Sequence, residues 1–182
     1  MTRCKPKPAI SERDCFQLLK EYRTPDHVIR HCVAVTSVSL AIAEALAAKG
    51  FSFDFDLIRG AGLIHDIARV EKKHWKAGAK IAARRGYARE AKIIREHMRH
   101  MIRSDPKRLT ELDLVCLGDR LVLEDRYAGV DERMRYAAAK AKGNRRVEKV
   151  IDGEKESIRA LIQKIEAIVG MSMEEIVRKG DG

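Results

Sequence analysis

Histidines and aspartates at the apolar ends of predicted helices are the residues of this sequence best suited to chemistry. His65 and Asp66 follow the apolar run Gly62-Leu63-Ile64, and Asp119 follows another apolar run. His31 shares a helical stripe with valines and therefore faces inward. Because an ionised aspartate is rarely buried without a partner, these four side chains predict a site for a divalent cation.

The chemistry of such a site follows from its ligand types. Imidazole and carboxylate ligands suit Mn, Fe, Co, Ni or Mg better than an ion that prefers thiolates. Four protein ligands leave positions open on a six-coordinate ion. Water and substrate would take those positions, which is what metal-assisted hydrolysis requires.

The elements that must position these residues are predicted to be helices throughout. Capping residues at Ser11, Thr24, Asp54, Thr110 and Ser172 mark helix starts. No segment shows sustained period-two alternation, so essentially no sheet is expected. The predicted fold is an all-α helical bundle. A break at Gly143-Asn144 divides it into a domain over residues 1–143 and a C-terminal helical appendage over residues 144–182 that packs on it.

Composition excludes several classes of protein. The chain has 182 residues, of which 45% are hydrophobic and 35% charged, so neither a disordered nor a fibrous protein is expected. No apolar run approaches the roughly 18 residues of a membrane span, and no signal-peptide core is seen at the start. The four cysteines (Cys4, Cys15, Cys32, Cys116) form no CxxC pair. We therefore expect reduced thiols, a cytoplasmic location and no membrane partner.

The positive charge is concentrated in one segment. The net charge is +10, and residues 67–108 alone hold 14 Lys/Arg against 4 Asp/Glu. Such a field attracts anions, either phosphorylated metabolites or a nucleic-acid backbone, although a solvated basic face is an equal alternative. Aromatic residues make up only 5% of the chain, so a stacking platform for single-stranded nucleic acid is not supported.

The order His31, His65-Asp66, Asp119 resembles the HD superfamily of metal-dependent phosphohydrolases, and in particular the subgroup named for His-Asp-Ile-Gly. The resemblance covers about residues 24–140. Five ordered motifs carry it: His27–Cys32, Ala61–Arg69, His74–Ala79, Ile93–His97 and Leu117–Val122. The sequence departs from the subgroup at Ala68, where glycine is usual, at Arg69, where lysine is frequent, and at Gly118, where alanine is common.

The resemblance implies about five core helices around the metal and hydrolysis of a phosphoester or phosphoanhydride, often of a nucleotide. By position, His31, His65, Asp66 and Asp119 would be the ligands of the first metal ion. In members with two ions, histidines placed like His74 and His97 complete a second site, with Asp66 bridging.

The predicted roles of further residues follow from phosphoryl-transfer chemistry. Asp66 would also orient the attacking water, and His97, if it does not bind a second ion, could donate a proton to the leaving group. Cations near the phosphate would neutralise developing charge. The candidates are Arg69, Lys72, Lys73 and Arg120. His27 and His100 are predicted to be surface residues.

Three functions stay open from the sequence. The first is an enzyme, a phosphohydrolase whose partner is an anionic phosphorylated small molecule. The second is a nucleic-acid-binding or nucleic-acid-processing protein that uses the basic segment 67–108. The third is a non-catalytic HD module that binds a metal or ligand. Some members of the superfamily carry out oxidation at two irons, but this chain looks more like the hydrolase subgroup.

Overall fold

Helices make up most of the structure, a computed structural model that describes residues 8–180. The prediction of an all-α fold is confirmed. The helices are α1 (Glu12–Glu21), α2 (Asp26–Ala47), α3 (Phe55–Ile64), α4 (His74–Arg84), α5 (Ala88–Glu96), α6 (Glu111–Leu121), α7 (Gly129–Lys140), α8 (Arg145–Val169) and α9 (Met173–Gly180), with a 3-10 turn at Pro106–Arg108.

Local capping explains where most helices begin. The side chains of Ser11, Asp54 and Thr110 accept hydrogen bonds from backbone N–H groups in the first turns of α1, α3 and α6, as predicted. The prediction for α2 was wrong in detail. Thr24 does not cap this helix, because its hydroxyl donates to the carbonyl of Ile67, 2.9 Å away.

Helix α2 is the centre of the bundle and packs against α3, α6 and α9. Its inner face buries Val35, Ile42 and Leu46 completely. By length and composition it is the one helix of the described chain that could cross a membrane, but a buried core helix passes the same test. The contacts of α2 on three sides are those of a core helix.

Small residues let α3 and α6 approach α2 closely. A Cβ on Gly62 would lie 2.5 Å from the Thr36 hydroxyl, and a Cβ on Gly118 would lie 2.7 Å from the Val35 carbonyl oxygen. The hydroxyl of Ser39 donates to Leu114 O across the same contact. This close packing brings the ends of three helices together on one side of the bundle.

Two short strands follow α6, where the sequence predicted none. β1 (Val122–Leu123) pairs antiparallel with β2 (Arg126–Tyr127). Each strand has two residues, which is too short for a period-two pattern to appear in the sequence. Glu124 in the turn has a positive φ of 57°. The hairpin carries the chain from α6 to α7.

The C-terminal helices share the core of the rest of the bundle. Ile158, Leu161 and Ile165 of α8 are buried in the same apolar cluster as α2 and α6. Met173 and Ile176 of α9 join them. The predicted break at Gly143-Asn144 lies between α7 and α8, and the division into a domain and an appendage at this point stays a prediction.

The three cysteines that the structure describes are buried. Cys15, Cys32 and Cys116 are buried free thiols, and Cys4 lies outside the described residues. Burial raises the pKa of Cys15 and of Cys116 to about 12. These thiols therefore stay protonated and unreactive at neutral pH.

Candidate metal centre

The six residues predicted as metal ligands lie at one place in the fold. Five helices supply them, mostly from their ends: His31 on α2, His65 and Asp66 directly after α3, His74 at the start of α4, His97 directly after α5, and Asp119 near the end of α6. Helix ends meet here because α3 and α6 both pack closely on α2. The predicted residues therefore form one cluster.

Within this cluster the potential ligand atoms form two overlapping groups. His31, His65 and Asp119 make one group, and His65, Asp66 and His97 make the other; in each, the ligand atoms lie within 4.8 Å of one another. His31 Nε2 is 3.2 Å from Asp119 Oδ1. Asp66 Oδ1 is 3.7 Å from His97 Nε2 and 3.2 Å from His74 Nε2.

Backbone carbonyl groups fix the orientation of three imidazole rings through their Nδ1 atoms. The Nδ1 atoms of His31, His65 and His97 lie 2.7–2.8 Å from the carbonyl oxygens of Glu124, Gly62 and Ile94. Because a carbonyl only accepts, each Nδ1 must carry the hydrogen. In the neutral ring, Nε2 then presents its lone pair to the centre, which is the usual arrangement of metal-binding histidine.

Two buried atoms at the centre have no hydrogen-bond partner in the part of the chain that the structure describes. They are His65 Nε2 and Asp66 Oδ1, on residues that are 1% and 5% exposed. His74 Nε2 does not satisfy the carboxylate, because its hydrogen bond is with Arg69 Nη1 at 3.2 Å, and an arginine can only donate. A buried imidazole lone pair and a buried carboxylate oxygen on adjacent residues, neither with a donor, call for a positive group beside them. The residues thus fit a divalent cation.

The charges of the two carboxylates support this assignment. Burial would raise the pKa of Asp66, but the neighbouring His65 and His74 outweigh burial and hold it well below its ordinary value. Burial acts in the same direction on Asp119, and there the adjacent His31 imidazole outweighs burial and holds the pKa well below its usual range. Both carboxylates are ionised at neutral pH and can act as metal ligands.

His97 is neutral at the same pH. Burial and the proximity of His65 lower the pKa of His97 to about 4. A neutral imidazole is suited to bind a metal ion, whereas proton donation requires the charged form. The electrostatics therefore favour His97 as a ligand over His97 as a proton donor.

A cavity of about 580 Å³ opens directly onto the centre. His31, Asp66, His97 and Asp119 form its inner end. Four cations line it farther out: Arg30, Arg69, Arg133 and Lys140. This volume lies within the range of roughly 300–1,000 Å³ that is typical of small-molecule sites.

The predicted phosphate-binding cations separate into three cases. Arg69 lines the cavity, with its Nε 3.6 Å from Asp66 Oδ2. Lys72 and Lys73 are exposed and lie outside the cavity lining. The prediction for Arg120 was wrong: its guanidinium is buried and donates to Glu154 and to the carbonyls of Cys116 and His100. Arg120 directly follows Asp119 in α6, so its side chain points from a different face of the helix.

Sequence reasoning missed the contribution of α7. Arg133, Tyr136 and Lys140 line the cavity at spacings of three and four residues, which place them on one helix face. The sequence shows this spacing, but a polar helix face that is exposed to solvent has the same spacing as one that lines a cavity.

Of the two histidines predicted to be surface residues, His27 is exposed yet lines the cavity. His100 is bound to the buried Asp113, with 2.7 Å between His100 Nε2 and Asp113 Oδ1.

Comparisons with known proteins agree with the fold. The family model described as HD domain matches residues 28–165, a range that includes all six clustered ligands. An uncharacterized protein of Methanocaldococcus jannaschii is 34% identical over 74 residues, or 39% of this chain and 44% of that protein. The match thus spans less than half the length of this curated relative. No solved structure matches the chain. From the family match, the chain belongs to the HD domain family.

Proposed function

We propose that this protein is a metal-dependent phosphohydrolase that cleaves a phosphoester or phosphoanhydride of a nucleotide or another small phosphorylated compound. One observation carries the proposal: among residues 8–180, His65 Nε2 and Asp66 Oδ1 are buried without partners, and Asp66 lies at the inner end of the cavity. A site built only for stability would pair such atoms. Members of the HD family are generally metal-dependent hydrolases, which agrees with this interpretation.

The potential ligands are enough for one ion or for two. His65 has a single free nitrogen, so it can serve only one ion even though both groups contain it. We assign His65 to the first ion, with His31, Asp119 and Asp66. His74, His97 and the second oxygen of Asp66 then remain for a second ion. A divalent cation held there supplies an acidified water as nucleophile and positive charge beside the phosphoryl group.

The chain's own residues would bind and orient the substrate. Arg69 lies next to Asp66 and can donate hydrogen bonds to phosphate oxygens. Asp66 keeps its negative charge and can accept a hydrogen bond from the attacking water. The carbonyls that hold Nδ1 of three histidines keep the rings from turning. Each group is thereby in place before the substrate arrives.

The balance of charge in the cavity favours an anionic ligand. The four lining cations face four carboxylates, those of Asp66, Asp119, Glu124 and Asp125. Protein charges alone therefore cancel. One or two divalent cations would make the cavity positive, and a phosphate group would restore the balance.

The nucleic-acid alternative rests on a different surface. Lys76 and Lys80 on α4 and Lys92 on α5 are exposed, and none of them lines the cavity. This face could hold a phosphate backbone without any chemistry at the metal centre. A polymer that neutralises several of these cations would bind with a steep dependence on salt, which a small substrate would not show.

Phosphate release from a panel of nucleotides and sugar phosphates tests the proposal. The protein is stripped of metal and then given Mn, Co, Ni, Fe(II) or Mg in turn. We expect release only with an added ion, and a loss of about 100-fold or more in Asp66→Asn, whereas His27→Ala, which alters an exposed residue of the same cavity, keeps most of the activity. No release with any ion, although the protein retains a stoichiometric ion, would contradict the proposal and favour the non-catalytic module.

A further inference from the structure

We infer that the cavity-facing side of α7 recognises the substrate, with Arg133 binding the phosphate group and Tyr136 packing against an aromatic ring in the group that the phosphate esterifies. The inference rests on the proposed function, because it names the substrate class of that same site. It assigns Arg133, Tyr136 and Lys140 to recognition.

Arg133 is a cation without a hydrogen-bonded partner. Its side chain is 24% exposed, and its Nη2 lies 4.0 Å from Asp119 Oδ1. No acceptor among residues 8–180 receives a hydrogen bond from it, whereas Arg30 donates to Asp125 and the buried Arg120 donates to three groups. A guanidinium has five N–H donors in a planar fork that matches phosphate oxygens. Its position beside Asp119 places those donors next to the metal centre.

Several of the residues that line the cavity are apolar or aromatic. Tyr136 and Met98 line it and are about 40% exposed, and the side chains of Val28 and Leu123 also line it. A sugar phosphate alone would give these apolar surfaces nothing to bury. A phosphate ester with an aromatic ring would cover them, because apolar surface removed from water favours binding.

The geometry of α7 sets the distance between the two ends of the ligand. Arg133 and Tyr136 are three residues apart, which is about 4.5 Å along the helix axis, and Lys140 is about 10.5 Å from Arg133. Lys140 Nζ lies 4.3 Å from the centre of the Tyr136 ring, a cation–π contact that steadies the ring. A ligand with its phosphate at Arg133 would thus carry its ring about one helical turn away, beside Tyr136.

A matched pair of ligands tests this directly. Adenosine 5′-monophosphate and ribose 5-phosphate have the same phosphate and sugar, and only the first has an aromatic base. We expect the protein to bind adenosine 5′-monophosphate about tenfold or more tightly in titration calorimetry, and to show the same preference in kcat/KM. Calorimetry measures the binding affinity even if neither compound is hydrolysed.

The variants separate the two contacts. Tyr136→Leu should remove the preference for the base while leaving ribose 5-phosphate unchanged, and Tyr136→Phe should keep it. Arg133→Gln should weaken both ligands by about 10- to 100-fold. Arg135→Gln is the control, because Arg135 is exposed on α7 but lies outside the cavity lining. Circular dichroism and urea unfolding establish that each variant is folded.

The outcomes distinguish this inference from the proposed function. Equal affinity for the two ligands in the wild-type protein would overturn the inference, and so would an Arg133→Gln variant that binds both as the wild type does. Discrimination that persists without hydrolysis under any metal condition would support the inference and contradict the proposed function. Hydrolysis of both ligands at equal rates, with equal affinity, would support the proposed function and contradict the inference.

Discussion

Adding a divalent cation to the metal-free protein should raise its melting temperature. The ion would bind the folded state, where His31, His65 and Asp119 lie together, and not the unfolded chain, where these residues are far apart. At a free ion concentration of a hundred times Kd, this binding adds about 2.7 kcal/mol to the free energy of unfolding. For a chain of this size, about 2–4 °C per kcal/mol gives a rise of about 5–11 °C.

The matched variants are two histidine substitutions. His65→Ala removes a direct ligand and should lower the affinity by about 100-fold or more. At the same ion concentration the stabilisation then falls to about 0.4 kcal/mol, a shift of about 1–2 °C. His27→Ala removes an exposed histidine from the wall of the same cavity and should keep the full shift.

Differential scanning calorimetry measures these shifts, and elemental analysis of the dialysed protein gives the bound metal per chain. A His65→Ala variant that shows the wild-type shift would refute the assignment of the centre. A wild-type protein that retains no ion and shows no shift with Mn, Co, Ni, Fe(II) or Mg would refute the argument from unpartnered buried atoms.

Three further predictions concern stability and are measured by urea unfolding. Gly118→Ala should lower the free energy of unfolding by about 3 kcal/mol, because its Cβ would lie 2.7 Å from a carbonyl oxygen of α2. Gly153→Ala, with open space around it in α8, should raise the free energy of unfolding by about 1 kcal/mol. Equal effects of the two substitutions would contradict the close approach of α6 to α2. Glu154→Gln should cost about 2 kcal/mol because it leaves the buried Arg120 without an anionic partner, and replacing both by Met and Leu should recover most of that loss; a double variant as unstable as the single one would contradict this reasoning. Asp113→Asn should cost about 2 kcal/mol at pH 7, and this cost should shrink as the pH is lowered below 3.8. Hydrogen bonds from Thr110 and His100 outweigh burial and lower the Asp113 pKa from its ordinary value of 3.8, so its contribution is complete above that value and is lost as the pH falls through the lower folded pKa; a cost that stays constant as the pH is lowered would exclude this account.

The sequence alone predicted the features that depend on local interactions. Helix starts at Ser11, Asp54 and Thr110 depend on a side chain and a backbone N–H three residues away, so the local pattern suffices. Thr24 has the same local signal, but its hydroxyl donates to a carbonyl 43 residues away. A distant acceptor cannot be seen in a capping pattern.

The candidate site was predictable as a set of residues but not as an arrangement. Helical periodicity and the family resemblance pointed to His31, His65, Asp66 and Asp119. The distances among them exist only because Gly62 and Gly118 let α3 and α6 press against α2. Nor does the sequence show which backbone carbonyls hold the rings, since Glu124 is 93 residues from His31.

Charged side chains show most clearly what tertiary structure decides. Arg120 and Arg133 are both arginines near Asp119, one adjacent in sequence and the other fourteen positions away. The sequence favoured Arg120, but the packing of α8 places Glu154 against it and turns it into the core, while the hairpin after α6 returns α7 so that Arg133 faces the cavity. Helix formation and residue type are determined over a few neighbouring positions, whereas the partner of a long, flexible, charged side chain is determined by whichever element packs beside it.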